Sequence, residues 1–175
     1  MEDLNILIQR AKQGDKDAFG RIYELFFKRI YRYCYYSTGN AEHSKDICQD
    51  TFIKAWRALP SFKTDEGSSI QAFLYRIARN LIIDSSRKKT EYNLENAQDV
   101  ETNEDFISEI DKKDEIKKVH LALKELDNLE RQIIILRFFE ELSFQEVSKI
   151  TGVNEGALRV KVHRSLKKLK DILKK

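Results

Sequence analysis

The stretch ELSFQEVSKITGVNEGALRVKVHR, Glu141 to Arg164, carries the punctuation of two helices joined by a tight turn. Ser143 and Glu146 form an S-x-x-E capping box ahead of an apolar pattern, so one helix starts at Ser143. Gly152 can adopt the left-handed conformation that ends it. Asn154 is a good N-cap for the next helix, with Glu155 in its first turn. A connection this short gives the crossing of a helix-turn-helix. In the second helix Leu158, Val162, Leu166, Leu169 and Leu173 share one face at helical spacing and are expected to be buried. The opposite face carries Gly156, Val160, His163, Arg164 and Lys167, flanked by Arg159 and Lys161. A cationic face at this position suits the major groove, where Arg and Lys meet guanine edges and phosphates. Val160 is either a partner for a thymine methyl or an ordinary exposed apolar residue.

Working outward, the 175 residues allow one domain or two small ones. Six glycines and one proline are few for a loop-rich or all-β fold, which favours helices. Charge is distributed in blocks: residues 1–88 are net +4, residues 89–115 net −7 and residues 116–175 net +6. The middle block has sparse apolar residues and no persistent helical stripe, so it reads as an acidic, flexible linker. The expected architecture is therefore all-α. A helical domain at 1–88 and a helix-turn-helix domain at 116–175 are joined by the linker at 89–115.

Before the linker, helices are expected near Leu4–Ala11, Asp15–Tyr36, Ala41–Leu59 (stopped by Pro60) and Ile70–Lys88. After it they are expected over Ile116–Leu126, Asn128–Phe139, Ser143–Ile150 and Glu155–Leu173. The third helix buries Ile47, Cys48, Phe52, Ala55 and Leu59. Its other side, with Asp46, Gln49, Asp50, Ile53 and Arg57, is either a solvated face or a protein contact. The fourth buries Phe73, Leu74, Ile77, Ala78 and Leu81. A second stripe on it holds Arg76, Asn80, Ile83 and Arg87, with Arg79 and Lys88 nearby, and suits phosphates and base edges. The aromatic cluster Tyr31–Tyr36 reads as packing rather than base stacking.

Catalysis has little support. His43, His120 and His163 are too dispersed for a metal cluster, and neither a Gly-rich phosphate loop nor a GxSxG motif occurs. No catalytic residue, metal or cofactor is expected. Cys34 and Cys48 have no metal-ligand spacing and suit a reduced cytoplasm. The amino terminus has no uncharged apolar core, and no segment approaches a membrane span. One reading of these features is an autonomous two-domain helix-turn-helix regulator, which would need a receiver or ligand pocket in its first half.

Four segments resemble the extracytoplasmic-function (ECF) group of bacterial RNA polymerase sigma factors. GDKDAFGRIYE at Gly14–Glu24 is similar to the opening of that family's first domain. DICQDTFIKAW at Asp46–Trp56 and FLYRIARNLIIDSSRKK at Phe73–Lys89 follow two of its motifs, and Glu141–Arg164 follows a third. The resemblance implies an alternative sigma factor that is not an enzyme. Asp46, Gln49, Asp50, Ile53 and Arg57 would contact the β′ clamp helices of the polymerase core, which also offers its β subunit as a partner. Arg76, Arg79, Asn80, Arg87 and Lys88 would engage the −10 element as it melts, with the loop Phe62–Ser69 helping to capture a flipped base. Arg159, Val160, Lys161, His163, Arg164 and Lys167 would hold the −35 duplex. An anti-sigma factor would hold the protein inactive. Three positions depart from the family's usual pattern: Phe73 for tryptophan, Asp127 for proline and Val160 for Ser or Thr. Asp127 can cap the following helix instead, and Val160 bears on base preference.

Overall fold

The computed structural model describes residues 3–64, 69–92 and 113–174, and every regular element among them is helical. Most of the expected linker, residues 93–112, and the centre of the Phe62–Ser69 loop, residues 65–68, lie outside the described residues.

The first domain contains α1 (Leu4–Lys12), α2 (Lys16–Thr38), α3 (Ala41–Ala58), a 3-10 turn (Leu59–Ser61) and α4 (Ile70–Tyr92). Each of the first three helices starts on a side-chain cap. Asp3 accepts from the Asn5 amide, Asp15 from the amides of Asp17 and Ala18, and Asn40 from the amide of His43. The Ala18 amide and the Arg10 guanidinium hold the Asp15 carboxyl below its usual range. Pro60 falls in the 3-10 turn that ends α3, as expected. α2 ends at Gly39, whose φ of 71° requires glycine, and a Cβ there would lie 2.7 Å from His120 Nε2. Helix α4 runs past the expected end at Lys88, because no Gly or Pro interrupts the chain before Tyr92.

Leu7, Ile8, Ile22, Phe26, Ile30 and Tyr33 pack against the expected α3 stripe of Ile47, Cys48, Phe52, Ala55 and Leu59, all buried. Cys34 and Cys48 are free, buried thiols, and burial pushes Cys48 up to about 12. They act as small core residues. The α4 stripe differs from expectation. Leu74 and Ala78 are buried, but Phe73, Ile77 and Leu81 are only partly so, while Ala72, Tyr75 and Ile82 are buried instead. The reason is that α4 is covered on two sides: α2 and α3 pack on one, and the helix Phe144–Thr151 of the second domain packs on the other.

The second domain contains α5 (Lys113–Lys124), α6 (Asn128–Ile134), a π-helical stretch (Ile135–Phe139), α7 (Phe144–Thr151) and α8 (Glu155–Leu173). Asp127 and Glu130 form a full capping box at α6, so Asp127 serves where the family pattern has proline. Ser143 and Glu146 form the expected box at α7, Gly152 ends it at φ 75°, and Asn154 accepts from the Ala157 amide. The expected single helix Asn128–Phe139 is in two parts. The Glu140 amide reaches back to the Ile135 carbonyl at 3.0 Å, which widens the last turn, and Glu141 follows at φ 56°. Among the described residues Glu141 is the one non-glycine with positive φ.

The buried face of α8 corrects a second expectation. Leu158, Val162 and Ser165 are buried with Leu169 half-buried, while Leu166 is 42% and Leu173 55% exposed. The seam steps by four, three and four residues, which places Ser165 rather than Leu166 against the neighbouring helices. Lys168, just beyond, donates to both oxygens of the capping-box Glu130 at 2.8 and 2.9 Å.

The aromatic cluster on α2 serves two interfaces. Tyr33 is fully buried and meets Tyr75 edge-on, with ring centroids 5.3 Å apart. Tyr36 meets Phe139, and Tyr35 stacks on His120, both across the domain boundary. Neither ring nitrogen of His120 has a hydrogen-bond partner. Burial first, then the charges of Lys124 and Arg131, push its pKa below the ordinary 6.5. The fold holds the neutral ring, so stability contributed there is complete above 6.5 and is lost as pH falls below it. Between pH 7.5 and 5 the urea midpoint of the native chain should therefore fall more than that of His120→Gln, and parallel curves would contradict this.

Candidate nucleic-acid and protein interfaces

Three surfaces bring together the residues that the sequence singled out. The first is the outer side of α3. Its inner stripe is anchored in the core, so Asp46, Gln49, Asp50, Ile53 and Arg57 all project outward, with Ile53 49% exposed. Beside them runs an open groove of about 540 Å³ lined by Phe19, Tyr23, Phe52, Ile53 and Trp56, with Gln49, Arg57 and Lys16 at its edges. Phe19 and Trp56 lie 5.0 Å apart between ring centroids, and Tyr23 meets Phe52 edge-on at 4.7 Å. An apolar floor with a polar rim has the make-up of a protein contact. Sequence inspection missed Tyr23 and Trp56; the signal was their helical spacing from Phe19 and Phe52.

The second surface is on α4. Arg76, Asn80, Arg87 and Lys88 are exposed, whereas Arg79 is half-buried with its Nε lacking a partner. Arg76 donates to the Lys149 carbonyl of α7 at 3.0 Å. Arg79, Ile83 and Arg87 line a cavity of about 680 Å³ that is closed on its far side by Asn128, Arg131 and Gln132 of α6. This side of α4 therefore faces the second domain.

The third surface is on α8. Arg159, Val160, His163, Arg164 and Lys167 are exposed and Lys161 is half-exposed, with Val160 at 49%. Arg159 lies 4.3 Å over the Phe144 ring and 3.8 Å from Glu155, so its guanidinium is steered against the start of α7. Lys161, His163, Arg164 and Lys167 leave a cationic surface with Val160 as its apolar point.

A fourth cluster was not anticipated. The Glu140 carboxylate accepts from Arg32 Nε at 2.7 Å, from Arg32 Nη2 at 2.8 Å and from the Tyr75 hydroxyl at 2.6 Å. Arg29 Nε lies 3.6 Å away, and its Nη2 donates to the Glu140 carbonyl. The carboxylate keeps the Arg32 guanidinium protonated above its ordinary range. Burial, then the same carboxylate, raise the Tyr75 phenol, which stays a donor. Arg29 and Arg32 sit three apart on α2, but nothing in their spacing indicates a partner more than one hundred residues away.

Among the described residues no helix is long and apolar enough to cross a membrane. Comparison with known proteins matches residues 22–92 to sigma-70 region 2 and residues 116–169 to sigma-70 region 4. The chain is 34% identical to the ECF RNA polymerase sigma factor BldN of Streptomyces coelicolor, over 95% of this chain but 64% of that relative's length. It is 30% identical to the ECF RNA polymerase sigma factor SigW of Bacillus subtilis, over 95% of both chains. Among solved structures, CnrH in complex with the cytosolic domain of CnrY matches with a TM-score of 0.76 over 98% of both chains, at 25% identity. The sigma factor RpoE of Bartonella quintana, in complex with the anti-sigma factor NepR, matches in fold with a TM-score of 0.75 over 89% of this chain and 96% of that one, at 24% identity. Two sigma-70 regions in order, and a full-length likeness to SigW, place this chain in the extracytoplasmic-function group of RNA polymerase sigma factors.

Proposed function

We propose that this chain is an alternative sigma factor whose three outward surfaces divide the work of initiation. The face of α3 with Asp46, Gln49, Asp50, Ile53 and Arg57, extended by the aromatic groove, docks on the β′ clamp helices of the polymerase core. The cations of α8 hold the −35 element as duplex, and the second domain also rests on the β subunit. Arg76, Arg79, Asn80, Arg87 and Lys88 of α4 engage the −10 element as it opens. The protein makes and breaks no covalent bond; that chemistry belongs to the polymerase in the cytoplasm. We place the domains at 1–88 and 116–175, around the matched sigma regions at 22–92 and 116–169, and the acidic segment 89–115 between them repels nucleic acid until the polymerase takes it up.

The observation that carries this reading is the α3 face. It is an exposed, mixed apolar and polar surface on a helix whose other side is locked into the core, and it is built from the residues of a sigma region 2 motif. An inhibitory protein partner is proposed on the likeness to CnrH, which was captured with the cytosolic domain of CnrY.

The division of labour is testable by separating the two bindings. Asp50→Arg should weaken core binding by about tenfold or more, since like charges or an unpaired charge at a contact cost about 1.4 kcal/mol or more. Arg164→Ala should leave core binding intact and reduce promoter use by the core complex. Equal losses of core affinity in both variants would contradict the assignment. Val160→Ser should change base preference at one or two −35 positions in a selection from randomised promoters, since a lost methyl contact is local. An unchanged profile would make Val160 a bystander.

A further inference from the structure

We propose that the chain carries its own closing latch. The Glu140 carboxylate, seated in a socket of Arg29, Arg32 and Tyr75, holds the second domain against α4, beside the stripe proposed to meet the promoter. What the covered side does rests on the sigma-factor function proposed above; the latch itself rests on geometry.

The Glu140 side chain is 0% exposed, while the side chains of Arg29 and Arg32 keep 36% and 39%. The carboxylate has thus left water completely, while its cations remain partly hydrated. A carboxylate in that setting must be paired, and here each oxygen is bonded by donors from the other domain. The socket lies wholly on the first domain: Arg29 and Arg32 are on α2, and Tyr75 packs edge-on against Tyr33. The insert is shaped by its own backbone. The π-helical stretch ends at Phe139, the Arg32 guanidinium also binds the Phe139 carbonyl at 3.0 Å, and Glu141 takes a positive φ to turn the chain back towards Ser143. Strained backbone of this kind persists where surrounding contacts impose it.

The consequence falls on α4. With Glu140 seated, α7 lies along α4, Arg76 is bonded to the Lys149 carbonyl, and Arg79 and Arg87 face α6 across the cavity. Arg76 and half-buried Arg79 are thereby engaged against the second domain, while Asn80, Arg87 and Lys88 stay exposed beside it. The α3 face and the α8 cations stay exposed in the closed state. The latch therefore engages part of one of the three surfaces, the Arg76 and Arg79 positions of α4, and core polymerase can dock on α3 before it opens. Opening exchanges the Glu140 contacts for water and for whatever contacts the polymerase and promoter supply.

The test measures the interdomain distance in the free full-length chain by single-molecule energy transfer, with labels at the exposed positions Glu24 and Asp171. The native chain should populate mainly the short distance. Glu140→Gln and Arg32→Gln should each shift the closed-to-open ratio towards open by about tenfold or more, as expected for losing a charge-assisted bond to a buried group. The double reversal Arg32→Glu with Glu140→Arg should recover a larger closed fraction than either reversal alone. Should Glu140→Gln disturb the second domain, seen as lost helicity, Arg32→Gln carries the test from the other side. At limiting concentration with core polymerase, the opened variants should give more promoter transcript than the native chain. Distance distributions that coincide in native, Glu140→Gln and Arg32→Gln chains would overturn the latch, as would a native chain found mostly open. Absence of core-dependent transcript from the native chain would overturn the functional assignment instead, and leaves the distances to decide the latch.

Discussion

A carboxylate that has left water completely must bring its partners with it, and Glu140 fixes how the two halves of this chain meet. Removing one partner of such a buried pair costs about 3–5 kcal/mol, less where the remaining cation keeps access to water. Both cations here do, so the figure is an upper bound for Arg29 or Arg32 and applies more fully to a partner as buried as Tyr75. The surrounding contacts are weaker. Tyr36 on Phe139 and Tyr35 on His120 add packing, and Arg131 reaches the Ser37 carbonyl at 3.4 Å. The aromatic contacts shape the boundary, while the ion cluster gives it register.

From that boundary the three candidate surfaces take their places. Each helix has one buried stripe and presents what remains. α3 turns its acids, Ile53 and the neighbouring aromatic groove to solvent; α8 turns out its cations; α4 sets Arg76 and Arg79 against the other domain and leaves Arg87 and Lys88 exposed. The arrangement suits a protein that must reach its polymerase before it touches melted DNA.

Much of this was legible in the sequence because local chemistry decides it. Capping at Ser143 and Asp127, the glycine stops, the α3 core stripe and the cationic side of α8 each depend on residues within a few positions of one another. The misses have a common cause. Leu166 and Leu173 look buried on a helical wheel, yet the seam is set by which helices lie across α8, and small Ser165 takes the buried place. Phe73, Ile77 and Leu81 yield to Tyr75 and Ile82 because α7 arrives on a second side of α4. The π-helical stretch and the Glu140 socket are long-range facts: a glutamate, two arginines and a tyrosine far apart in the chain carry no local sign of one another. The candidate site residues came from helical spacing and charge, and the family motifs gave them roles; the groove aromatics Tyr23 and Trp56 were overlooked because they resemble core residues.

In this account the chain confers promoter choice on a polymerase and does not read DNA by itself. Run-off transcription with purified core polymerase on genomic fragments tests it most directly. Core plus this chain should initiate at a small set of discrete sites where core alone does not, and the chain alone should protect no duplex tightly. Initiation nowhere, together with a tight footprint by the chain alone, would contradict the account.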